Sequence, residues 1–310
     1  MIRPPVLGPG ARIALVAPAG PVPAEAVDLA LERVHAWGWE PLLGRHARGR
    51  HGYLSGTDAE RLADLNGALR SPENEAIWCL RGGYGTMRLL ERIDWDALVR
   101  RPRPLIGFSD NTALHLAIHR RGLVSFHGPH AAAELPPTAE EVLLAVLTRP
   151  EPAGALPFPA GWPGAETLVG GRAEGPLVGG NLSLIAATLG TPYQIRSEGA
   201  ILFLEEVGEP AYRLDRLLSQ LQLAGVLRGV AGIALGGFTE CGGVSRAGIP
   251  SALEVLRDRL SELRVPIAAG LPFGHIPESW TLPLGIRARL DASAGVLELL
   301  EPAVAPGRKS

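Results

Sequence analysis

Apolar residues fall in two rhythms along the first 130 positions. Largely apolar runs at 11–17 (ARIALVA), 76–80 (AIWCL), 104–108 (PLIGF) and 123–126 (LVSF) predict buried strands, with a shorter one at 40–43. Between them the spacing is helical. Val27, Leu31 and Val34 share one face of a segment at 24–37, and Leu62, Leu65 and Leu69 share one face of another. The second opens on Thr57-Asp-Ala-Glu60, a capping box. Further helices are expected from the glycine-rich turn at 81–85 through Leu90, and at 110–121. Strands without polar alternation are covered on both faces, so this strand–helix alternation predicts a Rossmann-like, mostly parallel α/β sheet.

Residues 131–165 break the rhythm, with one short helix among many prolines, and read as an inter-domain connection. The pattern then restarts. Strands are expected at 175–178, 200–207, 230–235 and 266–271, helices at 182–189, 212–223 and 251–263, and a closing hairpin at 285–302. The predicted organisation is a nucleophile-bearing domain at 1–130, a linker at 131–165, and a smaller α/β domain at 166–310. A chain of 310 residues exceeds the size at which one core stops growing, which agrees with two domains.

Composition narrows the chemistry. Of 30 basic side chains one is lysine, Lys309, in the C-terminal tail. Lysine Schiff bases, Ser–Lys dyads and P-loop lysines are thereby excluded. Two cysteines, Cys79 and Cys241, exclude cysteine-rich zinc, iron–sulfur and disulfide frameworks. A net charge of −2 without a basic block argues against nucleic acid. The short apolar run near the N-terminus is flanked by Pro and Gly, unlike a signal peptide, and no stretch reaches the length of a membrane span. A cytoplasmic location follows as the expectation.

The sharpest local feature is LIGFSDNT at 105–112, in which a buried strand runs straight into a helix. Ser109 would stand above the carboxyl edge of the sheet, with the Asp110 amide beside it, as in a nucleophile elbow. Asn111 stands where that pattern has Gly, and Ser109 or Asp110 as a simple helix cap gives the same local signal. RGGYG at 81–85 also follows a strand, and suits an oxyanion-binding turn, a phosphate-binding turn or a plain turn.

A serine hydroxyl needs a base, and with lysine gone histidine is the candidate. His35, His46 and His51 are expected on the surface. His115, His119, His127 and His130 invite a metal reading, but HLAIH lacks the Glu of a zinc helix motif and no carboxylate completes the set. His275 sits on a loop after a strand end, where scaffolds present functional groups and where exposed histidines also occur. Glu205 and Glu206 end an apolar strand and point to opposite faces: Glu205 lies with Ile201 and Phe203, Glu206 with Leu202 and Leu204. The pattern does not choose between them.

Seven segments in order resemble the LD-carboxypeptidase family, serine peptidases that include the microcin-C immunity peptidases. They are IALVAPAGPV at 13–22, RGGYGTMRLLERID at 81–94, LIGFSDNTALHLA at 105–117, HGP at 127–129, GPLVGGNLSLIAATLGTPY at 175–193, ILFLEEVGEPAYRLDRLLSQL at 201–221 and GLPFGHIPESWTLPLGIRARLD at 270–291. The resemblance implies a Ser109–His275–Glu205 triad with an oxyanion hole from the Gly83 and Asp110 amides, and no metal or cofactor. The family commonly has Glu-Asp where this chain has Glu205-Glu206. It implies release of D-Ala from murein tetrapeptides during cell-wall recycling, a peptide or muropeptide as the small-molecule partner, and a homodimer.

Rival readings keep the same cleft. An immunity-type peptidase would cleave peptidyl-nucleotide conjugates and need an aromatic surface, for which Trp162 and Trp280 are candidates. A non-catalytic peptide- or sugar-binding protein would keep ligand affinity without turnover. A metal hydrolase would rest on the four clustered histidines.

Overall fold

The structure, a computed structural model, describes residues 1–242 and 248–307; Lys309 lies outside them. The first half supplies β1 (Arg12–Val16), α1 (Ala24–Ala36), β2 (Glu40–Leu43), α2 (Asp58–Arg70), β3 (Ala76–Cys79), α3 (Trp95–Arg100), β4 (Leu105–Gly107), α4 (Thr112–His119) and β5 (Ser125–His127). Its five strands pair in parallel in the order β2-β1-β3-β4-β5. Successive side chains of β1 serve opposite faces: Ile13 and Leu15 enter one core, Ala14 and Val16 another. That two-sided burial is why the strand reads as a continuous apolar run.

After α5 (Pro137–Thr148) come β6 (Gly154–Ala155), β7 (Glu166–Val169), β8 (Arg172–Asn181), α6 (Leu182–Ala187), β9 (Ile201–Val207), α7 (Ala211–Leu223), β10 (Gly232–Thr239), α8 (Ala252–Leu260), β11 (Ile267–Ala269), β12 (Leu282–Leu284), β13 (Arg287–Asp291) and β14 (Val296–Leu299). Eight of these strands form a second sheet, β6-β14-β13-β8-β9-β10-β11-β7, with a parallel centre and antiparallel flanks. Ile201 and Phe203 of β9 share a core with Ile13, Trp78 and Phe126, whereas Leu202 and Leu204 pack with α6 and α7 residues on the other side.

Three departures from the sequence expectation matter. Residues 131–165 are not a free connection, because Val142, Leu143, Val146, Leu147 and Leu156 are buried in the shared core and Trp37 donates from Nε1 to Glu140 at 2.8 Å. The expected helix after residue 85 is two short 3-10 turns, Thr86–Arg88 and Leu90–Arg92, since the Thr86 amide bonds Asp110 rather than a helix carbonyl. The short Pro-containing β12 was not foreseen. It leaves the second half and pairs antiparallel with β5 as the sixth strand of the first sheet.

Candidate active site

β4 ends at Gly107, Phe108 is extended, and Ser109 takes φ 60°, in the left-handed region that a non-glycine residue rarely enters. A 3-10 turn then leads straight into α4. This is the strained strand-to-helix turn that lifts a side chain off a sheet edge. Ser109 is not a helix cap: Phe108 occupies the cap position of the 3-10 turn and Asn111 that of α4. Its Oγ lies 3.0 Å from His275 Nε2.

His275 reaches Ser109 from the loop after β11, and its Nδ1 lies 2.6 Å from Glu205 Oε2. Gly274 makes that approach fit. It has φ 101°, and a Cβ there would meet Glu205 Cβ at 2.6 Å. Glu205 is fully buried on the β9 face that looks at the first sheet. Burial pushes its carboxyl up, but the contacts with His127 and His275 outweigh that and hold it down at about 2. A carboxyl depressed on folding contributes stability above its ordinary range and loses it as pH falls through about 2. Any loss of activity at mildly acidic pH therefore belongs to another group.

Glu206 has a different environment. Its Oε1 accepts from Asn181 Nδ2 and the Val207 amide, both at 2.9 Å, and its Oε2 accepts from the Ser183 amide at 2.8 Å. It fastens the start of α6 to the end of β9. Glu206→Ala is expected to lower unfolding stability by about 2–4 kcal/mol, because it strands buried donors, while the folded protein keeps its chemistry. Chemical denaturation and kcat measured on the same preparation check this.

The glycine-rich turn at 81–85 lies against Ser109. A Cβ on Gly82 would stand 2.9 Å from Ser109 Cβ and 3.1 Å from its Oγ, so only glycine lets the turn come this close. Gly82→Val is expected to lower kcat at least tenfold and to lower the melting temperature as well, because the turn must move off Ser109 and buried His130; steady-state kinetics and thermal denaturation read both. The turn is locked to the elbow by Thr86, whose amide donates to Asp110 Oδ2 at 2.8 Å and whose hydroxyl donates to the Asp110 carbonyl at 2.6 Å. Buried Arg61 holds it from beneath, donating to the carbonyls of Gly85 at 3.0 Å and Gly56 at 3.3 Å, and to that of Pro18. The sequence offered no sign of Gly82, Thr86 or Arg61 in these roles beyond the glycine run itself.

The clustered histidines do not converge on one point. His115 donates from Nε2 to the Gly107 carbonyl at 2.7 Å, so its Nδ1 accepts from Ser125 Oγ at 2.9 Å; burial depresses it to about 3. Asn111 Nδ2 donates to His130 Nε2 at 3.0 Å, and burial likewise lowers His130 to about 3. His119 is pushed by burial to about 4. His127 faces Glu205 instead. Among the described residues no group of three or more His, Cys, Asp or Glu is placed to hold a metal ion. His35 and His51 are exposed and His46 half-buried. Trp280 is fully buried with Nε1 on the Pro157 carbonyl at 2.6 Å, so it offers no open stacking face. Half-buried Trp162 donates to the Gly270 carbonyl at 2.9 Å. Tyr84, in the 81–85 turn, is exposed and packs edge-on against exposed Tyr53, with ring centroids 5.6 Å apart.

Residues 13–128 match the LD-carboxypeptidase N-terminal domain, and residues 174–290 match the LD-carboxypeptidase C-terminal domain. A putative carboxypeptidase of Streptomyces coelicolor is 43% identical, covering 99% of each chain. The chain belongs to the LD-carboxypeptidase family. Within the family it is 38% identical to the murein tetrapeptide carboxypeptidase of Pseudomonas aeruginosa, over 91% of this chain and 94% of that one. It is also similar to a solved structure of the microcin C7 self immunity protein MccF in complex with aspartyl sulfamoyl adenosine. The TM-score there is 0.89 and the identity 26%, over 98% of this chain and all of the other. The LD-carboxypeptidase boundaries leave 129–173 between the two matched domains, the stretch that carries α5 and Leu156 into the shared core. Among the described residues of this family member, no helix is long and apolar enough to cross a membrane.

Proposed function

We propose that this chain is a serine carboxypeptidase that hydrolyses the L,D-peptide bond of murein tetrapeptides, releasing terminal D-Ala in the cytoplasm as a step of cell-wall recycling. The observation that carries the reading is the unbroken run from Ser109 through His275 to Glu205, at 3.0 and 2.6 Å, in a member of a carboxypeptidase family. Ser109 Oγ attacks the carbonyl of the scissile bond as its proton passes to His275 Nε2. Glu205 accepts from Nδ1–H, fixing the tautomer and stabilising the imidazolium. The Gly83 and Asp110 amides donate to the oxyanion, each removing about 3–4 kcal/mol from the barrier. His275 then gives its proton to the leaving D-Ala amine. Water, activated by the same base, hydrolyses the acyl ester and restores Ser109. None of these steps calls for a cofactor.

Release of D-Ala from a purified murein tetrapeptide, followed by amino-acid analysis, tests the substrate. Turnover confined to a peptidyl-nucleotide conjugate would replace the murein reading with the immunity-type one. The exposed Tyr53–Tyr84 pair and the similarity to the microcin immunity protein favour that second reading. A homodimer is the expected assembly under either reading, and sedimentation equilibrium reads it directly.

A further inference from the structure

The triad uses one oxygen of Glu205. The other, Oε1, is buried without a hydrogen-bond partner. The group facing it is His127 Nε2, at 3.8 Å, and both side chains are fully buried. His127 has no partner on either ring nitrogen. Its ring packs among Phe108, Phe203 and His115, with centroids at 5.9, 5.2 and 6.1 Å. His115 offers it no acceptor, because both its nitrogens are engaged with Ser125 and Gly107. An anion with a bare oxygen and an imidazole with two bare nitrogens therefore face each other inside the protein.

We propose that His127 is a positioning residue for the triad. As a neutral imidazole it carries its proton on Nε2 and holds Glu205 Oε1, so that Oε2 stays on His275 Nδ1. The proposal rests on the Ser–His–Glu reading above. The terminal torsion of a glutamate is broad. Held at one oxygen, the carboxylate can swing off the base; held at both, its plane is fixed. The 3.8 Å separation lies beyond hydrogen-bond length, and a small rotation of the carboxylate or the ring closes it. The pair also spans the two sheets. His127 lies in β5, in register with Gly107 of the nucleophile strand and with Leu282 of β12, whereas Glu205 belongs to the second sheet. The contact thus ties the acid to the strand layer that carries Ser109.

The experiment compares His127→Phe, which keeps an aromatic ring and removes the N–H, with His127→Gln, whose amide nitrogen sits about where Nε2 sits. His127→Phe is expected to lower kcat about ten- to a hundredfold with KM unchanged, and His127→Gln to restore most of it. Nitrogen-15 NMR of the wild-type protein with labelled histidine reads the tautomer without any variant, and the expected result is a protonated Nε2 on His127. Wild-type kcat in His127→Phe, an equal loss in both folded variants, or a bare Nε2 in the wild type overturns the proposal. If His127→Phe does not fold, the tautomer decides alone. Ser109→Ala separates the two failures: a rate that survives it removes the triad itself, whereas a rate lost there but kept in His127→Phe removes only this role.

Discussion

Ser109→Ala is expected to lower kcat by about 10⁴–10⁶-fold while leaving substrate affinity and melting temperature close to wild type. The size follows from the geometry. Ser109 is the hydroxyl on the base, 3.0 Å from His275 Nε2, and Ala keeps the Cβ that the turn at Gly82 packs against. What survives is the oxyanion site and the binding surface, which alone give roughly 10³–10⁴-fold over water in a serine hydrolase. Single-turnover kinetics and calorimetric titration of the tetrapeptide on the variant measure both halves. Unchanged turnover would sink the serine mechanism. Lost turnover with retained affinity excludes a mere binding protein, since such a protein has no rate to lose.

Glu205→Gln is the second large effect, with an expected loss of about 10⁴-fold in kcat. The amide has nearly the shape of the carboxylate but no charge, and its nitrogen can meet His275 Nδ1 only by forcing the proton onto Nε2, the atom that must accept from Ser109. The wild-type carboxyl is held down at about 2, so the charge is present across the whole working range and its loss is felt at every pH. Glu206 gives the control, because its two oxygens are spent on Asn181, Ser183 and Val207. A 10⁴-fold loss in Glu206→Gln with activity kept in Glu205→Gln would move the acid to the other residue. Circular dichroism on both variants separates lost chemistry from lost structure.

The strand-and-helix rhythm of the first half was legible because buried parallel strands are locally apolar and their helices locally amphipathic. β1, α1, β2, α2 and β3 lie within a residue or two of their expected places. Strand alternation was equally informative at 201–206: it put Glu205 and Glu206 on opposite faces, but local pattern carries no record of which face looks at the first sheet. What set that face was Phe203 meeting Trp78 and Phe126 in one core, a contact between distant parts of the chain. β12 was hidden for a related reason. Three residues with a central proline have no local strand signal, and their pairing with Ser125, Phe126 and His127 is entirely non-local. In the 131–165 stretch the helix was expected but its burial was not: Pro137 occupies a first-turn position where its missing N–H costs nothing, and the core that α5 joins is built from distant parts of the chain. His127 was visible as a member of a histidine cluster. Its relation to Glu205 was not, because β5 and β9 belong to different sheets.

The sixth strand of the first sheet has a consequence for inheritance and synthesis. A ribosome that has delivered β1 through β5 has made the serine and its elbow, but the edge of β5 stays unclaimed until β12 arrives, a few residues behind the base. On the proposed triad, Ser109 is expected to be mute on a nascent or C-terminally truncated chain, gaining its proton acceptor in the same act that seals the sheet. For the same reason the halves are poor currency for recombination. A C-terminal piece transplanted from a relative brings an acid, a base and a strand that must knit, in register, onto a foreign β5. Chimeras are expected to survive only where that one seam matches.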